Sequence, residues 1–139
     1  MLNNYTYYKL NYPKHILMLK NGNFYISLDN DALIMSNVFN YKVKQSNNVI
    51  KAGFPIGSLS KVIMKLKNLN LNYLVIADGI IDVNNCDINV YDEYLSRVID
   101  NKVFIKRIGE IYKVLLNNIN KSNIRDVINE IESVLCKID

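Results

Sequence analysis

The sequence predicts an α/β (α+β) domain in which strands and helices alternate before a helical C-terminal segment. Short apolar runs bounded by turn residues are typical of strands. Other segments carry apolar residues at helical spacing. The chain is 50% hydrophobic and 22% charged, which is typical of globular proteins. Its 139 residues have the length of one domain, so we expect residues 1–139 to form a single domain.

The first predicted elements form a hairpin. Residues 1–13 are rich in tyrosine and asparagine with weak periodicity, and no element is predicted there. The apolar run His15–Leu19 predicts a buried strand, and Asn21-Gly22 is a favoured hairpin turn. Phe24–Leu28 alternates, so this strand should place its odd-numbered and even-numbered residues on opposite faces.

A helix and a second hairpin should follow. The polar run Asp29–Asp31 supplies N-cap candidates for a helix that continues through Phe39. The segment Tyr41–Gln45 alternates again, Ser46–Asn48 is a turn signal, and Val49-Ile50 begins the returning strand.

The next segment predicts a loop, a helix and two further strands. Residues 52–57 contain two glycines and a proline and predict a loop. Ser58 is a capping candidate for a helix whose apolar stripe runs from Leu59 to Leu66. Tyr73–Ile76 and Ile80–Val83 are predicted as the following strands.

The C-terminal segment carries two stretches at helical spacing, 104–116 and 124–135, separated by a break near Asn120–Ser122. This pattern predicts a helical hairpin packed on the sheet. The alternative is a helical arm that forms a homodimer or docks on another protein, such as a repair-protein partner.

The net charge of +4 is unevenly distributed. Residues 1–70 contain nine lysines and two aspartates, a balance of +7. Residues 71–139 contain eight basic and eleven acidic residues, a balance of −3. A basic first half favours an anionic partner. It is also compatible with a chain that is simply rich in lysine and asparagine throughout.

The residues that common catalytic sites require are scarce. No phosphate-binding loop is present, and a single histidine, His15, excludes most histidine-based triads and metal sites. Cys86 and Cys136 are far apart and lack metal-ligand spacing, so we interpret them as reduced thiols. We therefore expect no enzyme, cofactor, metal or membrane span, and a cytoplasmic protein that is nucleoid-associated if it binds DNA.

Two motifs resemble the N-terminal mismatch-recognition domain (domain I) of MutS-type DNA mismatch repair proteins, over about residues 5–77. That domain commonly opens with a proline, an apolar strand, Gly-Asp-Phe-Tyr-Glu, and an acidic pair that leads into a helix with alanine. The corresponding segments here are Pro13, Ile16–Leu19, Gly22–Tyr25 and Asp31-Ala32. The family's Ala-Gly-Ile-Pro, followed by a helix and a strand, is matched by Ala52-Gly53-Phe54-Pro55, Ile63–Leu66 and Tyr73–Ile76.

The resemblance implies a mixed β-sheet flanked by helices over residues 5–83, with residues 84–139 as a helical extension. It also implies that Phe24 is a wedge that enters the minor groove of double-stranded DNA and stacks on a mispaired base. The predicted DNA-binding residues are the aromatic pair and the lysines of the basic half, namely Phe24, Tyr25, Lys20, Lys42, Lys44, Lys51, Lys61 and Lys65.

The sequence departs from the family pattern beside the wedge. The family's glutamate, two positions after the phenylalanine, is replaced by Ile26, which cannot hydrogen-bond a base. The aspartate before the phenylalanine is Asn23, and Ile56-Gly57 stand where the family usually has Tyr-His. No clamp, lever or ATPase segment follows, so we expect either a stand-alone relative or part of a longer protein.

Two hypotheses follow. The first is a DNA-binding module of mismatch-recognition type without an ATPase. The second is a non-catalytic protein-interaction or structural domain that kept the scaffold and lost mismatch recognition. An exposed Phe24 beside a contiguous basic surface supports the first, whereas a buried Phe24 among scattered lysines supports the second.

Overall fold

The computed structural model describes residues 2–138. Its helices are α1 (Leu2–Asn11), α2 (Asp29–Phe39), α3 (Leu59–Asn68), α4 (Tyr91–Val98), α5 (Asn101–Asn117) and α6 (Ile124–Leu135), and a 3-10 turn spans Ile56–Ser58. Its strands are β1 (Ile16–Asn21), β2 (Phe24–Leu28), β3 (Lys44–Ser46), β4 (Val49–Pro55), β5 (Tyr73–Ala77) and β6 (Gly79–Asn84). The predicted α+β class with a helical C-terminal part is confirmed.

The six strands form one mixed sheet in the order β3-β4-β2-β1-β5-β6. β1 and β5 run parallel, and the other neighbouring strands are antiparallel. The central strand β1 is buried from Ile16 to Leu19, as its continuous apolar run predicts. The mixed sheet that the resemblance implies is therefore present.

Turn residues with a positive φ set the register of two hairpins. Asn21 pairs with Phe24, so Gly22 and Asn23 form the β1–β2 turn, and Gly22 has a φ of +63°. A glycine at the first turn position is the pattern of a type II′ hairpin. In the β3–β4 turn, Asn47 and Asn48 have φ values of +51° and +63°. This is the pattern of a type I′ turn, in which asparagine is favoured.

The sheet has two faces, which we call front and back. On the front face, Tyr5 of α1 packs in a buried cluster with Leu17, Leu19, Leu28, Leu74 and Ile76. On the back face, α2 packs against β2 and β4. The paired residues Tyr25 and Phe54 stack there with ring centroids 5.8 Å apart. Because α1 covers only part of the front face, Phe24 remains half-exposed.

Four local predictions are wrong. The strand predicted over Tyr41–Gln45 begins only at Lys44 and extends to Ser46, and residues 41–43 lie in no strand. Residues 2–11 form α1, although their apolar periodicity is weak. The predicted loop at 52–57 is strand as far as Pro55, because each residue from Lys51 to Pro55 pairs with β2. The expected side-chain N-caps are also absent. α2 begins directly at Asp29 after Leu28, and Ser58 makes no capping hydrogen bond to α3.

The described chain divides into two compact units, one extending to Val103 and the other beginning at Phe104. The first unit includes α4, whose Tyr91 and Val98 are buried. The helical extension expected from residue 84 therefore contributes its first helix to the sheet domain. In the second unit, the described residues of α5 and α6 are all exposed or half-buried. No helix within residues 2–138 is both long and apolar enough to cross a membrane.

Candidate nucleic-acid interface

Phe24 is the first residue of β2 and follows the β1–β2 turn directly. Its side chain is 50% exposed, on the front face and outside the part covered by α1. Strand alternation separates it from its neighbour Tyr25, which is only 5% exposed on the back face. The first of the two aromatic residues is thus free to contact another molecule, whereas Tyr25 is a core residue.

A groove of about 410 Å³ opens beside Phe24. It lies on the front face of β2 and β4, beside the part of β4 that the short edge strand β3 leaves unpaired. Its lining consists of Asn21, Phe24, Ile26, Tyr41, Lys42, Lys44, Lys51, Ala52 and Gly53. We call this feature the Phe24 groove. It combines an apolar floor with a rim of ammonium groups.

Gly53 keeps the floor of the Phe24 groove low. It pairs with Ile26 across β2 and β4. A Cβ atom at Gly53 would lie 3.0 Å from the backbone oxygen of Tyr25 and 3.4 Å from Cγ1 of Ile26. A residue with a Cβ atom there would require the Tyr25 backbone to shift by a few tenths of an ångström. The glycine of the Ala-Gly-Phe-Pro motif therefore allows β2 and β4 to approach closely next to the exposed Phe24.

The lysines of the groove carry uncompensated positive charge. Lys42 and Lys44 are exposed and Lys51 is half-buried. Within residues 2–138, the ion pairs are Lys9–Asp31 and Lys14–Asp92, so no described carboxylate neutralises the groove. Lys44 and Lys51 are also directly opposed across β3 and β4. Like charges in that position repel each other, and a bound anion would relieve the repulsion.

The remaining predicted lysines lie elsewhere. Lys20 pairs with Tyr25 in the β1–β2 ladder, so its Cβ points to the back face. Lys65 of α3 donates a hydrogen bond to the backbone oxygen of Val38 at 2.9 Å and lies 5.2 Å from the centre of the Phe39 ring. Lys61 is exposed one turn earlier on the same helix. The structure thus brings Lys42, Lys44 and Lys51 to Phe24, and leaves these three lysines outside the groove.

Five members of the groove are not among the site residues predicted from the sequence, namely Asn21, Ile26, Tyr41, Ala52 and Gly53. Tyr41 lines it while its ring stacks on Phe54, with 5.8 Å between centroids. Gly53 was assigned to a loop, although it lies in a strand. The signal that identifies Gly53 is pairing across strands, because the register of β2 with β4 places it beside Ile26.

The half-exposed Ile26 occupies the position beside Phe24 where the family has glutamate. Both residues lie on the front face, two positions apart. This side of the groove is therefore apolar, and it offers no carboxylate to accept a hydrogen bond from a base. Contacts there depend on shape, stacking and the lysine charges.

Comparison with known proteins agrees with these features. The model of the family described as MutS domain I matches residues 1–76, which include Phe24, the Ala-Gly-Phe-Pro motif and all of β5 except Ala77. A search of curated proteins finds no match to the chain. Because the family match covers more than half of the 139 residues, the chain belongs to the MutS domain I family.

Proposed function

We propose that this chain is a non-catalytic module that binds double-stranded DNA through the Phe24 groove and prefers sites where base stacking is weakened by a mismatch or an unpaired base. The observation that carries the proposal is the half-exposed Phe24 beside three lysines that have no carboxylate partner among residues 2–138. The MutS domain I scaffold supports the same conclusion.

Insertion of the Phe24 ring into a duplex has both an energetic cost and an energetic gain. An apolar side chain inserted between base steps must unstack them, which costs a few kcal/mol for a regular duplex. A mispaired base costs less to unstack. Stacking of an aromatic ring on a base stabilises a complex by about 1–3 kcal/mol. The gain from stacking on Phe24 therefore offsets the cost of unstacking more fully at a weakened site than in a regular duplex. This preference needs no hydrogen bond from the side chain of Ile26.

The lysines contribute affinity that does not depend on sequence. Phosphate contacts position a protein on the duplex and release counterions. Lys42, Lys44 and Lys51 surround the groove that Phe24 lines, so a duplex held by the wedge would bring phosphates to their ammonium groups. The repulsion between Lys44 and Lys51 would fall when a phosphate lies between them.

The direct test compares Phe24→Ala with Tyr7→Ala. Both replace an exposed aromatic residue of the first unit, 50% exposed in Phe24 and 63% in Tyr7, but Tyr7 lies on α1 and outside the groove. Fluorescence anisotropy would measure binding to labelled duplexes with and without one mismatch. We expect Phe24→Ala to bind the mismatched duplex roughly 5- to 150-fold more weakly, corresponding to the loss of one stacked base. Tyr7→Ala should bind like the unmodified chain.

The result that contradicts the proposal is equally specific. Equal affinity of the unmodified chain for mismatched, perfect and single-stranded DNA would show that it does not prefer mismatched sites. Unchanged DNA binding by Phe24→Ala would show that Phe24 does not act as a wedge.

A second candidate function is a protein-interaction or structural domain, which Ile26 favours because it extends the apolar surface of Phe24. In that case Phe24→Ala leaves DNA binding unchanged and weakens a protein complex instead. A buried phenylalanine would cost about 3–5 kcal/mol on truncation to alanine. At 50% exposure we expect a smaller loss of stability, so urea unfolding can separate a binding defect from a folding defect.

A further inference from the structure

The second unit carries an apolar stripe on each of its helices. On α5 the stripe contains Phe104, Ile108 and Ile111, and on α6 it contains Val127 and Val134. Their side chains are 38–64% exposed. We call these five residues the helical stripe. We propose that the helical stripe is a homodimer interface, in which α5 of one copy of this chain lies against α6 of the second copy.

The spacing of the stripe fits packing between helices. Phe104, Ile108, Ile111 and the half-buried Leu115 follow each other at intervals of four, three and four residues. Val127, Ile131 and Val134 follow at intervals of four and three. Apolar residues alternating at these intervals form the seam of helices that pack side by side. The stripe is therefore shaped for another helix rather than for a flat surface.

The exposed apolar surface is large enough for a stable contact. Besides the stripe itself, Tyr112, Leu116 and Leu135 are more than half exposed. These eight side chains together offer several hundred Å² of apolar surface, which approaches the ~800 Å² per partner of a standard interface.

Charge complementarity favours a second copy as the partner, because each copy carries one basic and one acidic helix. α5 carries four basic residues and one glutamate, a net charge of +3. α6 carries one arginine and three acidic residues, a net charge of −2. Two α5 helices would repel each other, as would two α6 helices, whereas α5 against α6 attracts. In a two-fold dimer this favourable pairing occurs twice, once for each copy.

The first test measures the mass of the full chain in solution by light scattering over a range of concentrations. We expect about 32 kDa, twice the chain mass of 16.1 kDa. Ile108→Asp should shift the protein to the monomer, because a buried carboxylate would face apolar residues of the partner. The matched control is Val114→Asp, which changes a residue of similar exposure (60% against 64%) outside the stripe of the same helix and should leave the dimer intact.

The second test exchanges charges. One variant carries Lys106→Glu with Arg107→Glu, so that α5 and α6 are both acidic. The other carries Glu130→Lys with Glu132→Lys, so that both helices are basic. We expect each variant alone to be monomeric and their equimolar mixture to form a heterodimer, since only the mixture pairs opposite charges between copies.

Three outcomes would overturn the proposal. A monomer at every concentration would show that the stripe is not a self-interface. A dimer that Ile108→Asp leaves intact would place the contact elsewhere on the chain. Failure of the two charge variants to associate when mixed, although each circular dichroism spectrum retains its helical signal, would exclude the pairing of α5 with α6.

Discussion

Asp31 shows how much of the first unit depends on one carboxylate. It is fully buried and forms an ion pair with Lys9 of α1, with 2.7 Å between Oδ1 and Nζ. It also accepts hydrogen bonds from the Tyr5 hydroxyl, from the Leu17 backbone N–H and from the Tyr91 hydroxyl. These partners belong to α1, β1 and α4, so a single side chain joins three elements to α2. The polar run that opens α2 therefore supplies an internal anchor and no helix cap.

We expect Asp31→Ala to destabilise the protein by about 3–5 kcal/mol, because it leaves the largely buried ammonium group of Lys9 without its counter-charge. The matched control is Asp92→Ala. Asp92 also pairs with a lysine, Lys14, at 2.7 Å, but both side chains are more than half exposed. Its loss should cost no more than about 1 kcal/mol. Urea unfolding of both variants measures the difference, and equal losses would contradict the importance of burial.

At the level of the strands, the sequence predicts element type better than element ends. The apolar run of β1, the alternation of β2 and the asparagines of the β3–β4 turn are local signals, and the structure confirms all three. The extension of β4 through Pro55 was missed, because it depends on pairing with β2, which is distant in sequence. α1 was missed for a similar reason. Its inward residue Tyr5 is held by the sheet and by Asp31, and the helix has no apolar periodicity of its own.

The groove could be predicted only in part, for the same reason. The family motif identified Phe24 as the residue that corresponds to the wedge. The turn followed by an alternating strand predicted that this residue lies at a strand end. Which lysines accompany it depends on strand order. β3 is an edge strand that pairs with β4, and this brings Lys44 opposite Lys51. Lys20, Lys61 and Lys65 looked equivalent in the sequence, yet the fold places them outside the groove.

We expect Gly53→Ala to destabilise the pairing of β2 with β4 by about 1–3 kcal/mol, because the added methyl group meets the Tyr25 backbone at 3.0 Å. Gly57→Ala is the matched control, since a Cβ atom there has no neighbour within 4 Å. Thermal unfolding of the two variants provides the measurement. If both changes had the same small effect, the close approach at Gly53 would not constrain the strands.

For the whole molecule, stability at high pH should depend on buried tyrosines. Burial, the Asp31 charge and the hydrogen bond to Asp31 raise the pKa values of Tyr5 and Tyr91 well above the usual value of 10.0. Above pH 10 the unfolded chain loses these protons while the folded chain keeps them, so the free energy of unfolding falls as pH rises. Burial lowers the pKa of Lys9 from 10.5, and that group has the opposite effect, but only below about pH 10.5.

We expect each of the two tyrosines to contribute a loss of up to about 1.4 kcal/mol per pH unit above pH 10. Tyr91→Phe should be less stable than the unmodified chain at pH 8, because it lacks the hydrogen bond to Asp31. It should lose less stability between pH 10 and pH 11. Urea unfolding at these pH values measures both slopes, and identical slopes would show that Tyr91 ionises alike in the folded and unfolded chains.

The two halves of the sequence carry opposite net charges. The basic excess lies in residues 1–70, which fold within the first unit and contain Lys42, Lys44 and Lys51. The acidic excess lies in the second half of the sequence, including α6. The same chain therefore has one region suited to phosphates and another suited to a basic helix.

A salt titration of DNA binding measures how many phosphates the lysines of the Phe24 groove neutralise. For B-DNA, the logarithm of the binding constant falls with the logarithm of salt concentration by about 0.9 for each phosphate neutralised. We expect a steep slope for the unmodified chain and a slope lower by about 2 for the double variant Lys44→Ala with Lys51→Ala. The double variant Lys61→Ala with Lys67→Ala, on exposed positions of α3 outside the groove, should retain the original slope. A flat titration, or the same slope in both double variants, would contradict binding of DNA through the Phe24 groove.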